Sequence, residues 1–281
     1  MRPAETIAAL AGVARVVETT CGEGRMVWRR WGKPRGNTRP VILLHGGSGS
    51  WTHWIKTIPG LAERSDVWAA DLPGLGDSDM PPGPATPESS GAVVAAGMRE
   101  LFGNQPADLV AFSFGAHVGT YAARHLARQL GSFTITGAAA MGLPHPTLEF
   151  PKERSNMSED ERLALHRRTL EILMFKNHAR IDDLAVHIQA ENIAKARFRS
   201  RAFAPTDDIA RLLPDIPVRV NAIWGADDCL ALPDLATRYD VLRRGHPELI
   251  TRTIADAGHW TMYEQPDAYT AALIEVLEAR E

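Results

Sequence analysis

Ser113 stands in "DLVAFSFGAHVGTYAARHL" (residues 108–126), between two phenylalanines at the end of an apolar run. An alcohol is a poor nucleophile until a base takes its proton. A serine that does covalent chemistry must therefore project clear of the backbone, meet an imidazole and face donors that stabilise an oxyanion. The sequence around it supplies the first condition. A strand that ends on a sharp turn before a helix holds its last side chain out at the sheet edge, and small residues two positions to either side let strand and helix pack closely. Ala111 and Gly115 occupy those positions. Glycine is usual at both, so Ala111 adds one methyl group, which is expected to fit. An isolated serine at a strand end is more often a satisfied polar group; the strand-turn-helix setting favours the nucleophile.

The elements that must position Ser113 appear as apolar runs of strand length alternating with segments of helical period. "ARVVETTCGEGRMVWRRWG" reads as a hairpin around Gly22-Glu23-Gly24. "RPVILLHGG" is a continuous apolar run of the kind buried on both faces of a sheet, and "DVWAADLPG", "ADLVAFSFG", "SFTITGAAAMG" and "PVRVNAIWG" repeat that form. Helix candidates such as "ESSGAVVAAGMRELFG" lie between them. The order predicts an α/β fold: a mostly parallel central sheet with helices on both faces. From about Leu143 to Pro214 the rhythm breaks into polar, arginine- and histidine-rich segments of helical period, "SEDERLALHRRTLEILMF" and "IDDLAVHIQAENIAKARFRSRAF". About seventy residues are long for a crossover between successive strands, so this stretch reads as an inserted helical cap. Ser158 and Glu161 form a capping box for its first long helix. The expected organisation is a first core part at 1–142, a cap at 143–214 and a second core part at 215–281.

Composition limits the class of function. The chain has 281 residues, 44% of them hydrophobic, enough for one large core. Its formal charge of −3 is spread over both signs, which points away from nucleic acid and anionic membranes and towards a small-molecule substrate. Cys21 and Cys229 are too few for a disulfide framework and lack metal-ligand spacing, which suits a reducing cytoplasm. The N-terminal apolar patch includes Glu5 and little basic charge, so a signal peptide is not expected, and no apolar stretch is long enough to span a bilayer. A homo-oligomer is compatible with the chain, which leaves its oligomeric state open.

Other motifs have plainer readings. "HGGSGS" lacks the third glycine of a dinucleotide fingerprint and the Gly-Lys-Ser/Thr of a phosphate loop. His45 and His53 have no metal-like partners at useful spacing, and His45 reads as a residue that shapes its loop. "DLPGLGDSD" misses the ligand pattern of a calcium loop and reads as a tight turn in which Asp71 and Ser78 bond to the backbone. His145, His166, His178 and His187 fall in the expected cap, where a surface or capping role is the simpler reading.

Taken together, "LLHGGSGSW", "DLPGLGDSD", the "FSFG" turn, "WGADD" and "AGHW" resemble the α/β-hydrolase superfamily over nearly the whole chain, in the family order of nucleophile, acid and histidine. The resemblance implies the α/β-hydrolase fold with an inserted cap, and a serine hydrolase that needs no cofactor or metal. It assigns Ser113 as nucleophile and His259 as general base. It takes the acid from "WGADDCLALP", where the family spacing selects Asp228 with Asp227 as competitor. It places the oxyanion between the backbone N–H groups of Phe114 and Gly47. Haloalkane dehalogenases and epoxide hydrolases carry aspartate at the turn, so serine excludes both. Proline iminopeptidases resemble "HGGPG" where this chain has Ser48, which leaves amide hydrolysis as an alternative. Hydrolases of meta-cleavage products, which split a carbon–carbon bond beside a ketone, pair the histidine with a following tryptophan and bind a carboxylate with a cap arginine. Trp260, with Arg197 or Arg199, fits that pattern, although "GHW" also occurs in plain esterases and arginines on a polar helix are usually solvated. The resemblance thus implies hydrolysis of an ester or similar acyl bond through an acyl-enzyme, with carbon–carbon hydrolysis and non-catalytic ligand binding as alternatives. Met174, Phe175 and Phe198 are candidates for the apolar pocket lining, or for core positions, since their spacing serves both.

Overall fold

The computed structural model describes residues 2–33 and 38–279. A β-hairpin opens the sheet. β1 (Arg15–Cys21) and β2 (Gly24–Trp31) pair antiparallel around Gly22, whose φ of +61° suits a residue without a side chain. The chain then lays down β3 (Val41–Leu44), β4 (Val67–Ala70), β5 (Ala107–Phe112), β6 (Leu130–Thr136), β7 (Arg219–Gly225) and β8 (Ile250–Ile254). The sheet order is β1-β2-β4-β3-β5-β6-β7-β8. β2 meets β4 antiparallel, and every pairing from β4 onward is parallel.

The apolar runs fill this sheet because both faces are covered. Successive side chains of a strand point to opposite faces. Ile42 and Leu44 of β3, with Leu109 and Ala111 of β5, therefore join one hydrophobic layer, while Val41, Leu43, Val110 and Phe112 join the other. The first layer is closed by α3 (Pro87–Phe102) and α4 (Phe114–Leu126), and by α8 (Leu235–Gly245) further along. The second is closed by α2 (Ile58–Ala62) and α10 (Pro266–Glu278). Two further elements flank it, α1 (Pro3–Gly12) near the N-terminus and α9 (Thr261–Glu264) just before α10. No described helix is long and apolar enough to cross a membrane.

The chain leaves the sheet after Thr136 and returns at Arg219, and between them it forms α5 (Glu159–Leu173), α6 (Asp183–Lys195) and α7 (Asp208–Leu212). The capping box of α5 is present: Ser158 Oγ accepts the Glu161 N–H at 3.2 Å, and Glu161 Oε2 accepts the Ser158 N–H at 2.7 Å. Helical periodicity through "ENIAKARFRSRAF" overreaches. α6 stops at Lys195, Ala196 turns extended (φ −73°, ψ 114°), and the N–H groups of Arg197 and Phe198 both donate to the Gly74 carbonyl at 2.9 and 3.1 Å. Burying Phe198, which is 3% exposed, against the loop after β4 takes the chain off the helical path.

Candidate active site

β5 delivers Ser113 to the sheet edge, and α4 begins at the next residue. Ser113 has φ +52° and ψ −117°, a conformation that costs a non-glycine residue of order 1–3 kcal/mol and persists where the surroundings enforce it. Its N–H donates to the Thr136 carbonyl of β6 at 2.8 Å, which pins the turn to the neighbouring strand. Gly115 is required by proximity, since a Cβ there would run into the backbone carbonyls of His45 and Leu44. Ala111, the departure from the usual glycine, fits because α4 offers Gly119 opposite it. A Cβ on Gly119 would sit 3.1 Å from the Ala111 methyl.

His259 follows β8 by five residues, and its Nε2 lies 3.0 Å from Ser113 Oγ. On the other side of the ring, Nδ1 is 2.9 Å from Asp228 Oδ2, with both side chains buried. A carboxylate only accepts, so Nδ1 carries the proton and Nε2 presents its lone pair to the serine hydroxyl. The second Asp228 oxygen accepts the Leu230 N–H at 2.9 Å, which fixes the carboxylate. Asp227 is turned outward instead, exposed and paired with Lys176 Nζ at 3.0 Å. The loop that carries His259 is anchored by Glu264, 5% exposed. Its carboxylate accepts the backbone N–H groups of Gly258 (2.7 Å), Lys176 (3.1 Å) and Asn177 (2.6 Å).

The loop "HGGSGS" is held beside the turn. Phe114, as first residue of α4, has an N–H that the helix itself does not use. Gly47 lies next to it: a Cβ at Gly47 would be 3.5 Å from Phe114 Cβ and would overlap the Ser200 hydroxyl. Two histidines grip the preceding residue. His53 Nδ1 accepts the Gly46 N–H at 3.2 Å; His45 accepts the Leu72 N–H through Nε2 at 2.9 Å and donates from Nδ1 to the Gly46 carbonyl at 2.7 Å. Because the Gly46 carbonyl and the Gly47 N–H share one planar peptide unit, His45 also sets the direction of that N–H. Burial lowers the pKa of His45, and burial with the neighbouring His45 and His259 takes His53 well below its ordinary value. The turn in "DLPGLGDSD" bonds as its residues suggest. Asp71 accepts the N–H groups of Trp51 (2.8 Å) and Asp77 (3.1 Å), and Ser78 Oγ donates to the Asp71 carbonyl at 2.6 Å.

Ser113 and His259 open into a cavity of about 320 Å³ whose walls are mainly apolar, with Leu148, Phe150, Leu173, Met174 and Ile193 contributed between β6 and β7. That volume is in the range of small-ligand pockets. The four substrate-binding candidates Trp260, Phe175, Arg197 and Arg199 are not among its lining residues. Trp260 is fully buried and donates from Nε1 to the His53 carbonyl at 2.8 Å. Phe175 packs edge-on against Trp260 and Tyr263, and Phe198, likewise in the core, lies 5.0 Å from the Phe114 ring. Arg197 donates to the Ser78 carbonyl, and Arg199 is exposed. The arginine of the cavity is Arg201, two residues further on. Its guanidinium lies 4.0 Å from the Phe150 ring centroid, burial lowers its pKa, and it makes no ion pair among the described residues. Arg201 is itself exposed, so it lies at the open side of the cavity; a helical reading of "ARFRSR" hid it, because the irregular backbone after α6 changes which arginine reaches the cavity wall. His117 of α4 also lines the cavity; its spacing of four from Ser113 was the available signal.

A family model described as "Alpha/beta hydrolase family" matches residues 41–272. The chain belongs to this family. Among its curated relatives is a 2-hydroxy-6-oxononadienedioate/2-hydroxy-6-oxononatrienedioate hydrolase of Paraburkholderia phymatum, 25% identical over 84% of this chain and 86% of that protein. A 2-hydroxy-6-oxo-6-phenylhexa-2,4-dienoate hydrolase of Burkholderia cepacia is 25% identical over 86% of this chain and 88% of that one. Of the solved structures, an esterase of a Rhodococcus species superposes on this α/β hydrolase with a TM-score of 0.74, at 20% identity, covering 95% of this chain and 99% of that one.

Proposed function

We propose that this α/β hydrolase cleaves a carboxylic ester or similar acyl bond through Ser113, His259 and Asp228, with residues 143–214 acting as a cap over the pocket. The observation that carries the reading is the relay of Asp228, His259 and Ser113 at 2.9 and 3.0 Å, open to a cavity. Ser113 Oγ attacks the acyl carbon while its proton passes to His259 Nε2. Asp228 stabilises the imidazolium so formed, and the N–H groups of Gly47 and Phe114 receive the oxyanion. Collapse breaks the bond to the leaving alcohol, which takes the proton from His259. Water, deprotonated by the same imidazole, then releases the acid and restores Ser113.

A second reading, carbon–carbon hydrolysis of a vinylogous diketo acid, is favoured by Arg201, whose guanidinium at the cavity wall has no ion-pair partner among the described residues and suits a carboxylate. The two curated relatives described above are named for substrates of that type. The deciding experiment measures kcat/KM for short p-nitrophenyl esters beside a diketo acid, with fluorophosphonate labelling of the wild type and of Ser113→Ala. Ester turnover with stoichiometric labelling, absent in Ser113→Ala, supports the first reading. A strong preference for the diketo acid that Arg201→Ala abolishes replaces it with the second, and a wild type that does not label removes both.

A further inference from the structure

Beside the cavity lies a second histidine–aspartate pair that the proposed chemistry does not use, its histidine in the wall. His117 lies on the Ser113 side of α4, lines the same cavity and is 2% exposed. Its Nε2 is 2.8 Å from Asp208 Oδ2, at the start of α7, so the pair joins the helix behind the nucleophile to the segment between β6 and β7. The ring is confined on two further sides. Tyr121 stacks on it at 5.9 Å and 26°, and Phe114 meets it edge-on at 6.4 Å. Asp208 also accepts from Arg211 at 2.5 Å, which balances its charge locally.

This environment fixes the tautomer. Asp208 is a carboxylate acceptor, so Nε2 carries the proton, and in the neutral ring Nδ1 keeps its lone pair. Burial lowers the imidazole pKa despite the opposing effect of Asp208, which favours that neutral ring. Nδ1 takes no hydrogen bond from any described residue, and it is not among the side-chain atoms sealed from solvent without a partner. The ring thus lines the cavity with one nitrogen that is neither bonded among the described residues nor sealed. The surrounding wall is largely apolar, so a directed acceptor there selects strongly for a matching donor.

We propose that His117 is a specificity-determining residue whose Nδ1 accepts a hydrogen bond from a hydroxyl or amide N–H of the substrate, so that the preferred acyl compounds carry such a donor. The proposal rests on the acyl-hydrolase reading for its substrates and on the pair with Asp208 for its geometry. A side chain able only to donate, or an apolar one, does not serve this role. Asp208 acts through His117 by holding the ring and its tautomer.

The test compares matched p-nitrophenyl and alkyl esters that differ by one hydroxyl against one methyl, placed in the acyl chain in one series and in the alcohol in another. The wild type is expected to favour the hydroxylated member of one series by roughly tenfold or more in kcat/KM. His117→Leu is expected to remove that preference, the ratio of kcat/KM for the two members falling to within about threefold of one. Asp208→Asn, which keeps the side-chain volume but releases the tautomer, is expected to give an intermediate preference. No wild-type preference in either series overturns the proposal, and so does a His117→Leu variant that loses rate equally on both members. Binding of the hydroxylated and plain product acids, and of the corresponding alcohols, to Ser113→Ala, followed by calorimetry, reads the same selectivity without turnover. Failed fluorophosphonate labelling therefore counts against the hydrolase reading, while equal affinity within both the acid pair and the corresponding alcohol pair counts against His117.

Discussion

Asp227 and Asp228 are neighbours in the chain and serve opposite environments: one pairs with Lys176 at the surface, the other with His259 in the interior. Asp228→Asn is expected to lower kcat by about 10³–10⁴-fold, because an amide no longer dictates the His259 tautomer. Asp227→Asn loses only an exposed ion pair and is expected to stay within about twofold in rate and 0.5 kcal/mol in stability. Steady-state kinetics and urea denaturation of both variants check this, and equal losses would reject the assignment of the acid.

The buried histidines set a pH dependence of stability. His45, His53 and His117 have pKa values held below the ordinary one in the folded chain. The unfolded chain therefore binds more protons as the pH falls below about 6.5, and stability drops on acidification from there towards each folded-state pKa. Above that pH the contribution is complete. The urea midpoint is expected to fall between pH 7 and pH 5. His53→Gln, which keeps an acceptor for Gly46, is expected to flatten the slope by up to about 1.4 kcal/mol per pH unit. An unchanged slope would exclude His53 as a contributor.

The fit of Ala111 against Gly119 predicts non-additivity. Gly119→Ala places a methyl 3.1 Å from both Ala111 Cβ and the Phe133 ring and is expected to cost about 1–3 kcal/mol. In an Ala111→Gly background the same substitution is expected to cost measurably less. Thermal denaturation of the two singles and the double provides the cycle, and strict additivity would mean that the two sites do not share this space.

Glu264 gathers three backbone donors in the interior. Glu264→Gln sets an amide NH₂ against N–H groups and is expected to destabilise the protein by about 2–4 kcal/mol, read from the denaturant midpoint. A midpoint within experimental error of wild type would show that those donors find other partners.

Much of the fold was readable because parallel strands buried on both faces are written as continuous apolar runs, as in Val41–Leu44 and Ala107–Phe112. Ser113 was equally readable, since a polar residue between strand and helix signals in a short window. The pocket walls were less so, Met174 apart. Arg197 and Arg201 differ by four residues, a spacing that places them on one face of a helix, but the chain turns at Ala196 to bury Phe198, and of the two only Arg201 reaches the cavity wall. That turn depends on the Gly74 carbonyl, more than a hundred residues earlier in the chain, and local periodicity carries no trace of so distant a contact. Trp260 shows the same limit. Its place beside His259 suggests a pocket wall, whereas its indole N–H is spent on the His53 carbonyl.

The donors that Glu264 receives from residues 176 and 177 belong to the main chain, and so does the Trp260 N–H that meets the Met174 carbonyl at 2.8 Å. These hydrogen bonds themselves place no demand on the side chains of residues 174–177, although Phe175 adds its packing against Trp260 and Tyr263. Across generations of sequence drift, a pocket-lining side chain such as that of Met174 can change and bring a new selectivity while these main-chain bonds keep the histidine loop in its place.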